Sequence, residues 1–267
     1  MKTLGLIAGK GRFPFLVAEE ARQGGYRVVC CGIAGESDPG LTQVTDAYRE
    51  IKLGQLGRLR DFFKAEGVRE ALMAGKIEKV QIFQGNVQPD LEMAKVLLKT
   101  RDFRDDALLG GIADYLASEG IELQDSTRFL KEAMPGPGVL GKKTPSKEAE
   151  EDMEFGWKIA KALGSLDIGQ TVVVKNKAVL ALEAIEGTDE TIKRGGLLGR
   201  GGVTVVKTAK PRQDMRFDVP AVGLGTLGCL IEARAKALAF EAGKTIFIDL
   251  REFVKRADQV GIALVGR

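Results

Sequence analysis

Apolar and polar positions along this chain follow two rhythms that repeatedly change places. Residues 3–8 (Thr-Leu-Gly-Leu-Ile-Ala) are a short apolar run closed by Gly9-Lys10-Gly11-Arg12-Phe13-Pro14, a pattern that predicts a buried strand and a glycine turn, with a helix over 15–22. A second apolar run covers 28–33. Strand, turn, helix, strand is the opening of a parallel α/β domain. Residues 56–66 place Leu56, Leu59, Phe62 and Phe63 on one helical face, and 70–74 predict a strand stopping at Gly75-Lys76. Helical spacing returns over 91–99 and 105–118, where Asp102, Asp105 and Asp106 suit a helix start, and 127–134 can add a short helix. Met134-Pro135-Gly136-Pro137-Gly138 is then a linker signal.

The second half opens with an amphipathic helix over 147–163. Residues 169–174 and 178–183 predict a hairpin around Lys175-Asn176-Lys177. Thr188 is placed as a cap for a helix over 189–194. Residues 195–202 hold five glycines in eight positions with Arg200 among them, which predicts a mobile loop able to close over a ligand. A strand over 203–206, a helix over 226–242, an apolar run at 245–248, a helix through 260 and an apolar tail at 262–265 complete the pattern. The expected fold class is α/β: a Rossmann-like N-terminal domain with a parallel sheet (1–133), a Pro/Gly linker (134–145) and a C-terminal α/β catalytic domain (146–267), with a ligand cleft between the two.

Composition narrows the chemistry. The 267 residues, 44% hydrophobic and 29% charged, are those of a soluble protein, and a net charge of +3 gives no case for nucleic-acid binding. The start of the chain lacks the pattern of a signal peptide, so a cytoplasmic setting is expected. Three cysteines, two of them adjacent, offer neither a disulfide framework nor zinc spacing. Histidine is absent, which removes histidine-based triads, histidine general bases and the usual zinc centres. Any proton transfer or metal binding falls to carboxylates, lysines and tyrosines, and carboxylates suit a hard ion such as Mg²⁺.

Two places gather candidate chemistry. Gly9, Gly11 and Arg12 end one predicted strand and Gly75 and Lys76 another, and parallel strands put these ends on the sheet edge where open α/β folds bind ligands. Pro14 stands where a dinucleotide fingerprint has its third glycine, so an oxidoreductase is a poor fit. The bland alternative is a structural turn with solvated cations. The other place is 207–223, where Pro211 and Pro220 forbid a regular helix and lysines, arginines and aspartates are packed between an apolar strand and a glycine turn. Within it Asp218 has apolar neighbours, Phe217 and Val219, and is the first choice for a catalytic carboxylate or metal ligand, against a turn hydrogen bond. Glu186 and Asp189, beside Gly187-Thr188, are second-choice metal ligands, against simple first-turn acids.

Several stretches are similar to the LpxI family of UDP-2,3-diacylglucosamine pyrophosphatases. They are Leu166-Asp167-Ile168-Gly169-Gln170, Glu183-Ala184-Ile185-Glu186-Gly187-Thr188-Asp189, Lys207-Thr208-Ala209-Lys210-Pro211 with Gln213, and Asp218-Val219-Pro220-Ala221-Val222-Gly223. In the first half they are Leu4-Gly5-Leu6-Ile7-Ala8-Gly9 with Pro14, Ala74-Gly75, and Asp105-Asp106-Ala107-Leu108-Leu109. The resemblance implies Mg²⁺-dependent hydrolysis of the UDP-lipid to UMP and 2,3-diacylglucosamine 1-phosphate in lipid A biosynthesis. It also implies lipid held between two domains and substrate met at the cytoplasmic face of the inner membrane. It places Gln213 at the substrate and favours Asp218. Pyrophosphate chemistry needs cations, which assigns Lys210 and Arg212 to phosphate oxygens, joined by Arg200 when its loop closes; surface salt bridging is the alternative. Monomer and homodimer are both left open. The rival of another class is a non-catalytic nucleotide-sugar or lipid-binding protein on a Rossmann-like scaffold.

Overall fold

The computed structural model describes residues 2–77, 89–100, 105–211 and 213–267, without the side chains of 105–107. Two compact units emerge. Unit 1 comprises Met1–Leu130 with Asp214–Asp218, and unit 2 comprises Lys131–Gln213 with Val219–Arg267.

In unit 1, β1 (Lys2–Ala8), β2 (Tyr26–Ile33), β3 (Ala47–Ile51), β4 (Glu70–Ala74) and β5 (Glu122–Leu123) form one parallel sheet in the order β3-β2-β1-β4-β5. This is the doubly wound arrangement expected, with strand order reversing between β1 and β4. The apolar runs read as strands are buried: Leu4, Leu6 and Ala8 on β1 and Val28 to Cys31 on β2 have no exposed surface. Helix α1 (Phe13–Gln23) has Pro14 in its first turn, where a missing N–H costs nothing. α2 (Leu56–Ala65) buries Leu56, Leu59, Phe62 and Phe63. These join Met93 and Val96 of α3 (Leu91–Thr100) and Ala113 and Leu116 of α4 (Asp105–Ser118) in one cluster. Strands β3 and β5 escape the periodicity argument: β3 exposes Arg49 and Glu50, and β5 has two residues.

Unit 2 is built on a six-stranded mixed sheet. Its strands are β6 (Gly138–Leu140), β7 (Thr171–Lys175), β8 (Ala178–Leu182), β9 (Thr204–Lys207), β11 (Ala237–Phe240) and β13 (Ala263–Gly266), in the order β6-β13-β11-β9-β7-β8. The central β13, β11 and β9 are parallel and the flanking strands antiparallel. β10 (Ala221–Val222) and β12 (Ile246–Phe247) pair separately. α5 (Lys147–Ser165) covers one face through Met153, Ala160 and Leu163. α6 (Thr188–Gly199), α7 (Leu224–Glu232) and α8 (Leu250–Val260) contribute to the cluster on the other. There Phe247 stands edge-on to Phe240 and Phe253, with ring centroids 4.7 and 5.0 Å away.

Four expectations change. The helix expected over 226–242 ends at Glu232, and Ala237–Phe240 is a fully buried strand, because small alanines suit a central strand covered on both faces. The Pro/Gly stretch at 134–145 is not only a connection, since Gly138–Leu140 pairs with β13 as an edge strand. The segment Asp214–Asp218 groups with unit 1, outside the unbroken 146–267 domain expected: Ser126 donates its amide to Met215 O (2.9 Å), and its hydroxyl lies 2.6 Å from Arg216 O.

The fourth change concerns the glycine-rich loop, most of which is the last turns of α6. A Cβ on Gly195 would lie 2.5 Å from Val173 Cβ, and one on Gly196 2.4 Å from Ala233 Cβ and 2.5 Å from its Cα. These glycines let the helix press onto β7 and the end of α7. Gly196→Ala should therefore lower stability by about 1–3 kcal/mol through overpacking. Gly228→Ala, in α7 with nothing within 4 Å of its Cβ position, should be neutral or stabilising by up to about 1 kcal/mol. Equal melting temperatures for the two variants would contradict this account.

Candidate functional site

The carboxyl ends of β1 and β4 are neighbours, as the strand ends predict, and they are closed onto each other. Gly9 N donates to Ala74 O (2.8 Å), Lys10 N to Lys76 O (2.7 Å) and Lys76 N to Lys10 O (3.0 Å). A Cβ on Gly9 would come within 2.5 Å of Lys76 O, and Gly75, at φ +95°, has the carbonyl carbon of Gly9 2.8 Å from its Cβ position. The glycines therefore serve contact between two loops, and the Gly9 and Lys10 amides are taken up there. Gly11, at φ +100°, is exposed before α1. Arg12 turns back along the helix, with Nη1 3.2 Å from Glu19 Oε1 and its guanidinium 5.5 Å from the Phe15 ring centroid. The Lys76 side chain is exposed.

The carboxyl edge of the parallel strands in unit 2 gathers Lys207, Lys210 and Gln213 of the 207–223 stretch, while Asp214, Arg216 and Asp218 group with unit 1. Lys207, the last residue of β9, is 2% exposed and donates to Thr188 Oγ1 (2.8 Å). Thr188 donates to Glu183 Oε1 (2.9 Å), and Gln170 N to Glu183 Oε2 (3.3 Å). Burial pushes the Glu183 carboxyl up, but the charge of Lys207 and hydrogen bonds from Thr171, Thr188 and the Gln170 amide outweigh it and hold the group below its ordinary value. Thr188 thus bridges two buried charges, and the cap position expected for it is Gly187, at φ 83°. A sequence pattern shows no sign of this network, because Glu183 and Lys207 are far apart along the chain.

The segment after Lys207 is held from several sides. Thr208 N donates to Gln170 O and Ala209 N to Glu241 Oε2 (2.8 Å), while Lys161 Nζ donates to Ala209 O (3.1 Å) and pairs with Glu241. Lys244 reaches the other Glu241 oxygen (2.8 Å). Lys210 pairs with Asp167 at 2.6 Å, and its amide is accepted by Gln213 Oε1 at 2.8 Å. The expected Lys210 and Gln213 are therefore together on one short loop beside Lys161, Lys207 and Lys244. A phosphate taken by Lys210 would share its ammonium with Asp167 or displace it. Arg212 lies outside the described residues.

Four candidates stand elsewhere or are otherwise engaged. Arg200, expected to close over the phosphates, is the left-handed cap (φ 52°) at the far end of α6. Lys207 meets the first residue of that helix, so its 12 residues put Arg200 about 18 Å away along the helix axis. With Gly195–Gly199 helical, no loop brings it back. Glu186 accepts from Arg194 (2.6 Å) and Thr191 (3.2 Å) on one oxygen and from Ala184 N (3.1 Å) on the other, and Asp189 accepts from Thr226 (2.8 Å). Asp218 is grouped with unit 1, half-buried, its amide donating to Asp214 O (3.0 Å). Among the described residues no three His, Cys, Asp or Glu side chains converge as a metal-holding group; Glu186 and Asp189 belong to unit 2 and Asp218 to unit 1.

Comparison with known proteins covers the whole chain. The LpxI N-terminal domain matches residues 3–133 and the LpxI C-terminal domain residues 136–265. A curated protein of Caulobacter vibrioides (strain ATCC 19089 / CIP 103742 / CB 15), described as UDP-2,3-diacylglucosamine pyrophosphatase LpxI, is 31% identical over 278 residues, spanning 100% of this chain and 98% of its own. Among solved structures, an ADP complex of N5-carboxyaminoimidazole ribonucleotide synthetase aligns with 73% of this chain and 44% of its own at 16% identity and a TM-score of 0.30. The Thermotoga maritima synthetase gives 68%, 41%, 16% and 0.25. The chain spans less than half of either synthetase, and likeness at that level supports no functional statement.

Proposed function

The chain belongs to the LpxI family, and we propose that it hydrolyses the pyrophosphate of UDP-2,3-diacylglucosamine, releasing UMP and 2,3-diacylglucosamine 1-phosphate in lipid A biosynthesis. The observation that carries this reading is the match to both family domains, in order, along nearly the full chain. The lysine-lined edge of unit 2 is consistent with it in kind. Lys210 is the phosphate-binding side chain, oriented by Asp167, and Gln213 holds the backbone of that loop in place. A lysine offers a point charge with three donors, so it can serve a phosphate oxygen without a fixed geometry. Asp218 is the carboxylate proposed at the reacting centre.

Magnesium belongs to the proposal. This ion keeps most of its waters and binds through one or two carboxylates and substrate phosphate oxygens, which suits a chain with no preformed cluster of acids among its described residues. When bound it neutralises charge on the diphosphate. The diacylated substrate brings the protein to the cytoplasmic face of the inner membrane as a transient visitor; no described helix is long and apolar enough to cross a membrane.

Purified protein given UDP-2,3-diacylglucosamine with Mg²⁺ should release UMP and the sugar 1-phosphate in equal amounts, and EDTA should stop release. Substrate binding without UMP release under any divalent ion would replace this reading with that of a non-catalytic lipid or nucleotide-sugar carrier.

A further inference from the structure

The Rossmann-like sheet of unit 1 has a buried acid that the reaction as described leaves unused. Among the described residues, six buried side-chain atoms lack a hydrogen-bond partner: Glu36 Oε1, Tyr48 OH, Gln170 Oε1 and the hydroxyls of Thr204, Thr208 and Thr245. Five belong to neutral groups, for which a missing partner is a modest penalty. Glu36 differs, because its residue is 6% exposed and it ends in a carboxyl group. A buried carboxyl oxygen without a donor is disfavoured, and hydroxyl donors brought by a bound ligand would relieve it.

Its place in the fold says what kind of partner. Glu36 lies three residues past the end of β2, on the edge of a doubly wound sheet where ligands bind beyond the carboxyl ends of the strands. The turn carrying it is fixed against β1: the amides of Glu36 and Ser37 donate to Ile33 O (3.0 and 2.9 Å), and Ser37 Oγ accepts from Ile33 N (2.7 Å) and donates to Ala8 O (2.6 Å). The adjoining Gly9 and Lys10 amides are engaged by the β4 loop, so this edge is ill suited to a diphosphate on those amides. An acid past β2 is instead suited to hydroxyls. A carboxylate only accepts hydrogen bonds, and two adjacent hydroxyls supply two donors to one such group.

We infer that Glu36 is the acceptor for the ribose 2′,3′-diol of a uridine nucleotide. This deepens the proposed reaction and rests on it for the identity of the base. The substrate's own chemistry singles out the ribose: acylation at positions 2 and 3 leaves the glucosamine ring with hydroxyls only at 4 and 6, which are not adjacent. The nucleoside therefore holds the one vicinal diol available to the carboxylate. Glu36 is then a specificity-determining residue that recognises a ribonucleotide.

The test compares UMP with 2′-deoxyuridine 5′-monophosphate by calorimetry on wild-type protein, Glu36→Gln and Glu36→Ala, alongside turnover of UDP-2,3-diacylglucosamine and melting temperature. Wild type should prefer UMP by about tenfold or more, the range for a hydrogen bond to a charged group. Both variants should bind UMP only as well as the deoxynucleotide, whose own affinity should be unchanged. KM for the substrate should rise more than kcat falls. A wild type that binds both nucleotides equally, fails to bind UMP at all, or keeps its preference in both variants would overturn the inference. A UMP preference that depends on Glu36 without any turnover would uphold it and remove the proposed reaction instead.

Discussion

Asp218→Ala is expected to lower kcat roughly 10²–10⁴-fold, the range for loss of a group that handles a proton in the transition state, while substrate binding and the melting temperature stay near wild type. The short segment Asp214–Asp218 contains two aspartates, and the contacts of Asp214 are with its neighbour Arg216. Asp214 accepts from Arg216 Nη2 (2.7 Å), Nε (3.0 Å) and the Arg216 amide (3.1 Å). Those contacts with Arg216 hold its carboxyl below the ordinary aspartate value despite partial burial. An acid so engaged braces a turn. Asp218 closes the turn, half-buried, with Phe217 and Val219 on either side, and is the residue proposed to meet substrate. Asp214→Ala should accordingly act mainly on stability. Single-turnover measurement at saturating substrate separates the two outcomes, and near-normal turnover in folded Asp218→Ala would remove this residue from the chemistry.

Lys207→Met is expected to destabilise unit 2 by about 3 kcal/mol or more, because removing one member of a buried charged network leaves the other without compensation. Methionine keeps much of the apolar stem, so the loss reports the charge. The pH dependence gives a second signature. In wild type Glu183 is held below its ordinary value of 4.5, so its stabilising contribution is present above that value and is lost as pH falls through its lower folded pKa. Without Lys207, burial dominates and the Glu183 pKa rises in the folded variant. The variant then recovers relative stability as acid protonates the group. Urea unfolding at pH 7 and pH 4 should show the gap between the proteins narrowing at the lower pH. Equal stability at pH 7 would mean the network contributes nothing.

How much of this was legible in the sequence depended on whether the signal was local. The amphipathic faces of 56–65, 91–100 and 147–165 announce their helices because their apolar spacing is helical whatever they pack against. The Gly9 and Gly75 turns identified themselves as neighbours, since parallel strands bring like ends to one edge. What stayed hidden depends on partners distant in the chain. Gly195 and Gly196 look like a hinge until Val173 and Ala233 are seen against them. Ala237–Phe240 looks like helix until flanking strands bury it on both sides. Glu36, in Gly35-Glu36-Ser37-Asp38-Pro39-Gly40, is indistinguishable in sequence from any solvated turn acid. Lys210 came from the need for cations and Gln213 from family resemblance, and the two sit together, whereas Arg200 rested on a loop most of which is helix.

The placement of β13 between β6 and β11 has a consequence for how the protein is made. Residues 263–266 fill an interior slot of the sheet, and Gly138–Leu140 has only β13 to pair with. A ribosome delivers those residues after every other strand of that sheet. Until they emerge, β11 presents an open edge and the segment around Gly138 has nowhere to dock. Long-range pairing of this kind is slow to form, so the nascent chain passes through a stage with an unfilled gap in the sheet, open to pairing with other chains. The sheet is therefore completed only once residues 263–266 have emerged, and a ribosome stalled before residue 263 would carry an unfinished and aggregation-prone unit 2.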